Sequence, residues 1–105
     1  MENLFVYGTL LHPKVRDRVF GKSLRGFRDA LHGFTMVEGM VAGTYPGLLP
    51  AGDAYAPVNG LRFALPGDIL LRVDDYEGDL YYRKTLSLRS GAEAWVYLPA
   101  ENRNP

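Results

Sequence analysis

The sequence predicts an α+β domain built on a mostly antiparallel sheet. Three observations lead there. Strand-like segments outnumber helical ones, both helical segments are short, and the last two strand-like segments flank Ser90-Gly91, a turn that pairs them as a hairpin. With 105 residues, 47% of them apolar, the chain has the length and composition of one globular domain.

From the N-terminus, residues 3–8 (NLFVYG) are a continuous β-branched and aromatic run, as in a strand buried on both faces. Residues 12–21 (HPKVRDRVFG) read as a short helix. Pro13 suits its first turn, Val15 and Val19 share a face, and Gly21 can close it. Residues 30–38 (ALHGFTMVE) alternate weakly, as one strand. Residues 41–53 (VAGTYPGLLPAGD) have the glycine and proline content of an irregular loop. Residues 54–65 (AYAPVNGLRFAL) are strand-like, with Asn59-Gly60 in the middle. That pair is either a hairpin turn or a glycine inside one strand where another backbone comes close.

Residues 66–78 (PGDILLRVDDYEG) are the clearest helix, with Asp68 as N-cap and Gly78 as terminator. Residues 81–89 (YYRKTLSLR) alternate, with Lys84, Leu86 and Leu88 on one face and Thr85 and Ser87 on the other. Residues 92–99 (AEAWVYLP) pair back on them, and the tail from Ala100 is expected to fray.

Composition excludes several classes. The 12 basic and 12 acidic residues cancel, which is not the footprint of a phosphate-backbone binder, so no nucleic-acid partner is expected. A basic cluster from Lys14 to Arg28 is interrupted by Asp17 and reads as a solvated face. With no cysteine, a disulfide framework, a thiolate nucleophile and a cysteine-ligated metal are all ruled out. The N-terminus lacks a basic region followed by a long apolar one, so no signal peptide is expected. No apolar run reaches the roughly 20 residues of a spanning helix, and the expected location is the cytoplasm, with no membrane partner. Nothing in the sequence sets the oligomeric state.

His12 and His32 lie far apart with no HxxxH or HExxH spacing, so no metal site is expected. None of Ser23, Ser87 and Ser90 occupies a nucleophile elbow. No GxGxxG or Walker loop appears, and no cofactor is expected. What remains is acid–base chemistry by carboxylates and tyrosines, with binding by backbone amides.

The acids concentrate at the end of the second helix, as Asp74, Asp75 and Glu77. At ~100° per residue, Ile69, Leu70, Val73 and Tyr76 form one apolar arc, and Glu77 falls within it. Asp75, Arg72 and Asp68 fall opposite, and Asp74 lies on the flank. A core-facing carboxylate at a helix C-terminus is disfavoured by desolvation, by the dipole and by neighbouring acids, all of which raise its pKa. That is the setting a general acid–base needs. The alternative is a frayed helix whose Glu77 turns to solvent and pairs with Arg83. A second feature is Tyr7-Gly8-Thr9-Leu10, where a strand runs into a glycine loop whose N–H groups can form an anion-binding concavity, or simply a strand-to-helix turn.

Five segments in fixed order carry a family resemblance: LFVYGTL at 4–10, YPGLLP at 45–50, VNGLRFAL at 58–65, DDYEGDLYYR at 74–83 and AWVYL at 94–98. The chain resembles the γ-glutamylcyclotransferase-like superfamily, in its compact AIG2-like and γ-glutamylamine cyclotransferase branch. The resemblance implies a small mixed α+β domain around a partly closed barrel, with a cavity at one end and Asn59-Gly60 inside a strand. It implies a metal-free, intramolecular cyclisation that expels an amine from a γ-glutamyl amide and forms 5-oxoproline. It implies Glu77 as the catalytic acid–base and Tyr7, Gly8, Thr9 and Leu10 as a loop whose backbone holds the α-carboxylate side of the substrate. By the same resemblance Tyr81 or Tyr82, together with Arg83, contacts substrate, and Tyr45-Pro46-Gly47 forms part of the rim. The small-molecule γ-glutamyl amide is then the expected partner, its amine half undefined. Two other readings stand beside it: a non-catalytic small-molecule binding module of the same fold, and an interaction domain that recruits a partner through its strand edges.

Overall fold

The computed structural model describes residues 1–52 and 55–102. Strand β1 (Glu2–Val6) leads through a 3₁₀ turn (Thr9–Leu11) into helix α1 (Pro13–Phe20). Strands β2 (Phe27–Leu31), β3 (Phe34–Val41), β4 (Tyr45–Pro50) and β5 (Val58–Leu65) follow. Helix α2 (Gly67–Glu77) passes through a second 3₁₀ turn (Gly78–Leu80) to β6 (Tyr81–Ser87) and β7 (Glu93–Pro99), and Ala100–Asn102 form a last turn.

Five strands form one sheet in the order β2-β5-β1-β7-β6. Only the β1–β7 contact is parallel; every other ladder is antiparallel. Strands β3 and β4 form a separate ribbon. The α+β class and the mostly antiparallel sheet are as expected. The ladder stays open, with β2 and β6 at its edges, and does not close into a barrel. Among the described residues, no helix is long and apolar enough to cross a membrane.

β1 is central, and its alternation explains the uninterrupted apolar run. Leu4 and Val6 pack on one face with Phe20 of α1 and Ile69, Leu70 and Val73 of α2. Phe5 and Tyr7 pack on the other with Leu31, Leu48, Val58, Val96 and Leu98. Phe63 of β5 meets Phe20 edge to face, ring centroids 5.3 Å apart, and is fully buried. Burying a side chain of that size stabilises the fold by about 2–3 kcal/mol.

Three local expectations need correction, and one open alternative is decided. Residues 30–38 are not one strand: Gly33, at φ 85°, turns the chain between β2 and β3. The irregular loop expected over 41–53 gives way to a strand, because β4 occupies Tyr45–Pro50 and pairs with β3; residue 53 lies outside the described residues. Prolines are tolerated in such a ribbon because it lies outside the main ladder. Gly47 is required there, since a Cβ would come 2.8 Å from Met40 Sδ and 2.8 Å from Pro99 Cγ. Asp68 is not the N-cap; Pro66 is, and Asp68 sits in the first turn, where its charge still complements the helix dipole. Asn59-Gly60 is not a hairpin turn but lies inside β5, as the resemblance implies. A Cβ at Gly60 would run into the Val6 carbonyl oxygen and the Phe5 ring, so glycine lets β5 lie against β1.

The remaining elements match their sequence signals. Gly21 closes α1 at φ 77°, and Gly78 ends α2 at φ 66°. β6 and β7 pair in register from Tyr81↔Pro99 to Ser87↔Glu93. Of the tail, residues 103–105 lie outside the described residues.

Candidate active site

A cavity of about 210 Å³ opens where β1, β4, α2, β6 and β7 converge. The end of β1 and the following loop supply Phe5 to Leu10, and β4 supplies Tyr45 and Pro46. The end of α2 supplies Tyr76 and Glu77, the 3₁₀ turn supplies Leu80, and β6 and β7 supply Tyr81 and Tyr97. Glu77 and the Tyr7–Leu10 loop, picked out separately in the sequence, thus face the same space.

The helical projection describes the three acids well. Asp75 is exposed, while Glu77 is half-buried and turned to the cavity. Among the described residues its carboxylate has no hydrogen-bond or ion-pair partner. Burial alone pushes its pKa up to about 7, because desolvation disfavours the charged form. The alternative pairing with Arg83 does not form. Arg83 instead meets Asp74, with Nε donating to Oδ1 at 2.8 Å and a second guanidinium nitrogen donating to Oδ2 at 3.2 Å.

The loop is held from both sides. The Tyr7 hydroxyl donates to the Tyr97 carbonyl oxygen at 2.5 Å, so that phenol is already committed. Burial, then the nearby Tyr81 and Glu77, push the Tyr7 pKa well above that of an ordinary tyrosine. Arg16 of α1 donates to the Leu10 and Leu11 carbonyls at 3.3 and 3.2 Å. The Leu11 N–H donates to Gly8 O and the His12 N–H to Thr9 O. Outside the ladders, no backbone hydrogen bond takes the N–H of Gly8, Thr9 or Leu10, as expected at the start of a helical turn. Gly8 keeps this corner narrow: a Cβ would lie 3.2 Å from Pro46 Cγ.

Four tyrosines complete the wall. Tyr81 donates to the Pro46 carbonyl at 2.8 Å, tying β6 to β4. Burial, then the Glu77 charge, push its pKa up to about 12. Tyr76 and Thr9 share a hydroxyl–hydroxyl hydrogen bond of 3.0 Å. Tyr45 and Tyr76 are exposed at the rim. Tyr97 lines the interior and donates to Asp74 Oδ1 at 2.5 Å.

Not every sequence candidate reaches the cavity. Tyr82 packs against the Phe5 and Leu98 cluster and does not line the cavity, whereas Tyr81 does. Arg83 does not line the cavity; its guanidinium lies 4.2 Å from the Trp95 ring centroid. Conversely, sequence reasoning passed over Tyr97, Leu80 and the Asp74 partnership. Period-two alternation in β7 carried a signal, since it places Trp95 and Tyr97 on the face opposite Ala94, Val96 and Leu98. Among the described residues, His, Asp and Glu form no group of three or more placed to hold a metal ion.

Fold and cavity together describe an α+β domain with a pocket that one unpaired carboxylate lines. Residues 4–105 match the family model "Gamma-glutamyl cyclotransferase, AIG2-like", and the chain belongs to that family. Among solved structures, an AIG2-like protein from Mus musculus superposes with a TM-score of 0.75 at 25% identity, covering 98% of this chain and 80% of that one. A protein from Arabidopsis thaliana gives 0.79 at 23% identity over 99% of this chain, which spans 65% of that relative's length. A structure described as a gamma-glutamyl cyclotransferase gives 0.71 at 18% identity, covering 93% of this chain and 66% of the other. At such identities the likeness is one of fold. No curated protein matches the chain in sequence.

Proposed function

We propose that the protein cyclises a γ-glutamyl amide, releasing the amine and 5-oxoproline, with Glu77 as general base and then general acid. One observation carries this reading: an unpaired carboxylate with a pKa near neutrality shares a cavity with the loop from Tyr7 to Leu10. Family membership supplies the reaction class.

The residues suit the chemistry. The nucleophile is the substrate's own α-amino group, so attack is intramolecular and the protein's main task is to hold the folded rotamer. Glu77 takes a proton from the α-ammonium. The freed nitrogen attacks the γ-carbonyl carbon, the new C–N bond closes the five-membered ring, and the carbonyl oxygen takes the electron pair. As the oxyanion's electron pair re-forms the carbonyl and the original C–N bond breaks, Glu77 passes its proton to the departing amine nitrogen, and it then relays the second proton of the ring nitrogen to the freed amine, leaving a neutral lactam and an ammonium. A carboxyl with pKa about 7 is matched to these transfers. The N–H groups of Gly8, Thr9 and Leu10 bind the α-carboxylate or the developing oxyanion. Tyr81 and Tyr45 wall the amine half.

The test is incubation with γ-glutamyl-n-butylamide, γ-glutamyl-ε-lysine and γ-glutamyl-alanine, scored for 5-oxoproline. Turnover of at least one by the wild type, and its loss by 10³-fold or more in Glu77→Gln, is expected (on the order of an acid–base contribution combined with positioning). Wild-type-like turnover in the variant would remove Glu77 from the mechanism. Saturable binding without 5-oxoproline release would instead assign the cavity to a binding module.

A further inference from the structure

We infer that Asp74, Arg83 and the Tyr97 hydroxyl form a positioning brace for Glu77, and that Arg83 acts through this brace rather than on substrate. The inference rests on the cyclotransferase reading for its kinetics, but not for its geometry. The last turn of α2 ends in Asp74-Asp75-Tyr76-Glu77, and the Gly78 N–H caps the Asp74 carbonyl. Glu77 is the last helical residue, at φ −71° and ψ −32°, so its direction is only as well fixed as the final turn that carries it. The Asp74 carboxylate anchors that turn. Arg83 of β6 grips both its oxygens, at 2.8 and 3.2 Å, while Tyr97 of β7 donates to Oδ1. One side chain thereby ties the final helical turn to two strands. Residues three apart on a helix are neighbours, so this anchor sits one turn below Glu77.

The brace is itself supported. The Arg83 guanidinium lies 4.2 Å from the Trp95 ring centroid, and the Trp95 indole N–H donates to Glu2 Oε1 at 3.2 Å. Among the described residues, every Arg83 side-chain hydrogen bond goes to Asp74, and Arg83 is absent from the cavity lining. Burial would push the Asp74 carboxyl up, but the bonds from Arg83 and Tyr97 outweigh it and hold it below its ordinary value. Asp74 is therefore a compensated anion.

The groups facing Glu77 decide how its titration responds. Besides Glu77, the titratable residues lining the cavity are Tyr7 of β1, Tyr45 of β4, Tyr76 of α2, Tyr81 of β6 and Tyr97 of β7. Tyr7, Tyr81 and Tyr97 have their pKa values raised by burial and stay neutral near pH 7, and among the described residues no cation lines the cavity. Asp74 and Arg83 are thus the nearby charges whose balance can be altered by substitution.

Arg83→Gln and Arg83→Lys are compared with wild type by kinetics on γ-glutamyl-n-butylamide and by carbon-detected NMR titration of the Glu77 carboxyl. Expected for Arg83→Gln is a fall in kcat of about 10- to 100-fold, the scale of a small misplacement, with KM within about threefold. Its Glu77 midpoint moves up, because Asp74 loses its counter-charge. Arg83→Lys restores the charge but not the two-pronged grip, so the midpoint returns while kcat recovers only in part. A rise in KM with kcat unchanged would return Arg83 to the substrate. Unchanged kcat and an unmoved Glu77 midpoint, with only a lowered Tm, would overturn the brace. If the wild type releases no 5-oxoproline, the functional reading falls, and the NMR titration still decides the brace.

Discussion

Glu77→Gln should make the protein more stable at alkaline pH while removing its activity. Burial raises the Glu77 pKa from 4.5 to about 7. Between those values the unfolded chain has already released this proton while the folded one retains it. The unfolded state therefore binds fewer protons, and stability declines as pH climbs through that window. The contribution is full below 4.5 and lost above about 7. At ~1.4 kcal/mol per pH unit, the span sets a ceiling of roughly 3 kcal/mol. Since Glu77 is only half-buried, about 2 kcal/mol is the realistic gain on replacing it with a neutral isostere. In a domain of this size that raises Tm by about 10 °C. Thermal unfolding of both proteins at pH 8 and pH 4 measures it. The variant should melt higher at pH 8 and equally at pH 4, where both side chains are neutral. An equal or lower Tm at pH 8, or a gain that persists at pH 4, would refute the argument.

Three further perturbations follow from named geometry. Gly78, at φ 66° and ψ −158°, occupies a region essentially reserved for glycine, so Gly78→Ala should cost on the order of 1–3 kcal/mol in chemical denaturation and reduce kcat by disturbing the residue after Glu77. The β3–β4 turn places Ala42 at φ 53° and Gly43 at φ 68°, with the Thr44 N–H bonded to Val41 O at 3.1 Å; Ala42→Gly should stabilise by about 1 kcal/mol, read as a higher denaturation midpoint. Asp29 is almost fully buried, and although burial pushes its pKa up, hydrogen bonds from Ser90, Ala30 and Arg62 win and depress it. Its contribution is present above the ordinary Asp value of 3.8 and lost as pH falls through the depressed one. Asp29→Ala should cost about 1–2 kcal/mol at pH 7 by removing the hydrogen bonds it accepts from Arg62 and Ser90, and much less at pH 2.

Local periodicity made much of this site legible. The buried run at Leu4 to Tyr7 defined the central strand, and a projection of eleven helical residues separated Glu77 from Asp75. The resemblance independently pointed to the same glutamate and to the glycine inside β5. What escaped was set by contacts distant in sequence. Tyr97 and Asp74 stand 23 residues apart and Tyr81 and Pro46 stand 35 apart, and no hydrophobic period encodes either bond. The resemblance alone put Arg83 at the substrate, by its place after the EG pair, whereas its guanidinium is taken up by Asp74 and Trp95 and does not line the cavity. The β4 strand was hidden by its own composition, since Pro46, Gly47 and Pro50 are loop signals that a detached ribbon can absorb.

The β3–β4 ribbon shares no ladder with the five-stranded sheet, yet Tyr45 and Pro46 form one wall of the cavity. Acid and wall therefore belong to different structural units, joined at this corner by the bond from the Tyr81 hydroxyl to the Pro46 carbonyl. The ribbon can be lengthened, shortened or recoloured without breaking a single strand pairing that supports Glu77. On the proposed function, the ribbon side of the cavity can thus diverge to suit different amines while the carboxylate that serves the common γ-glutamyl half stays in place.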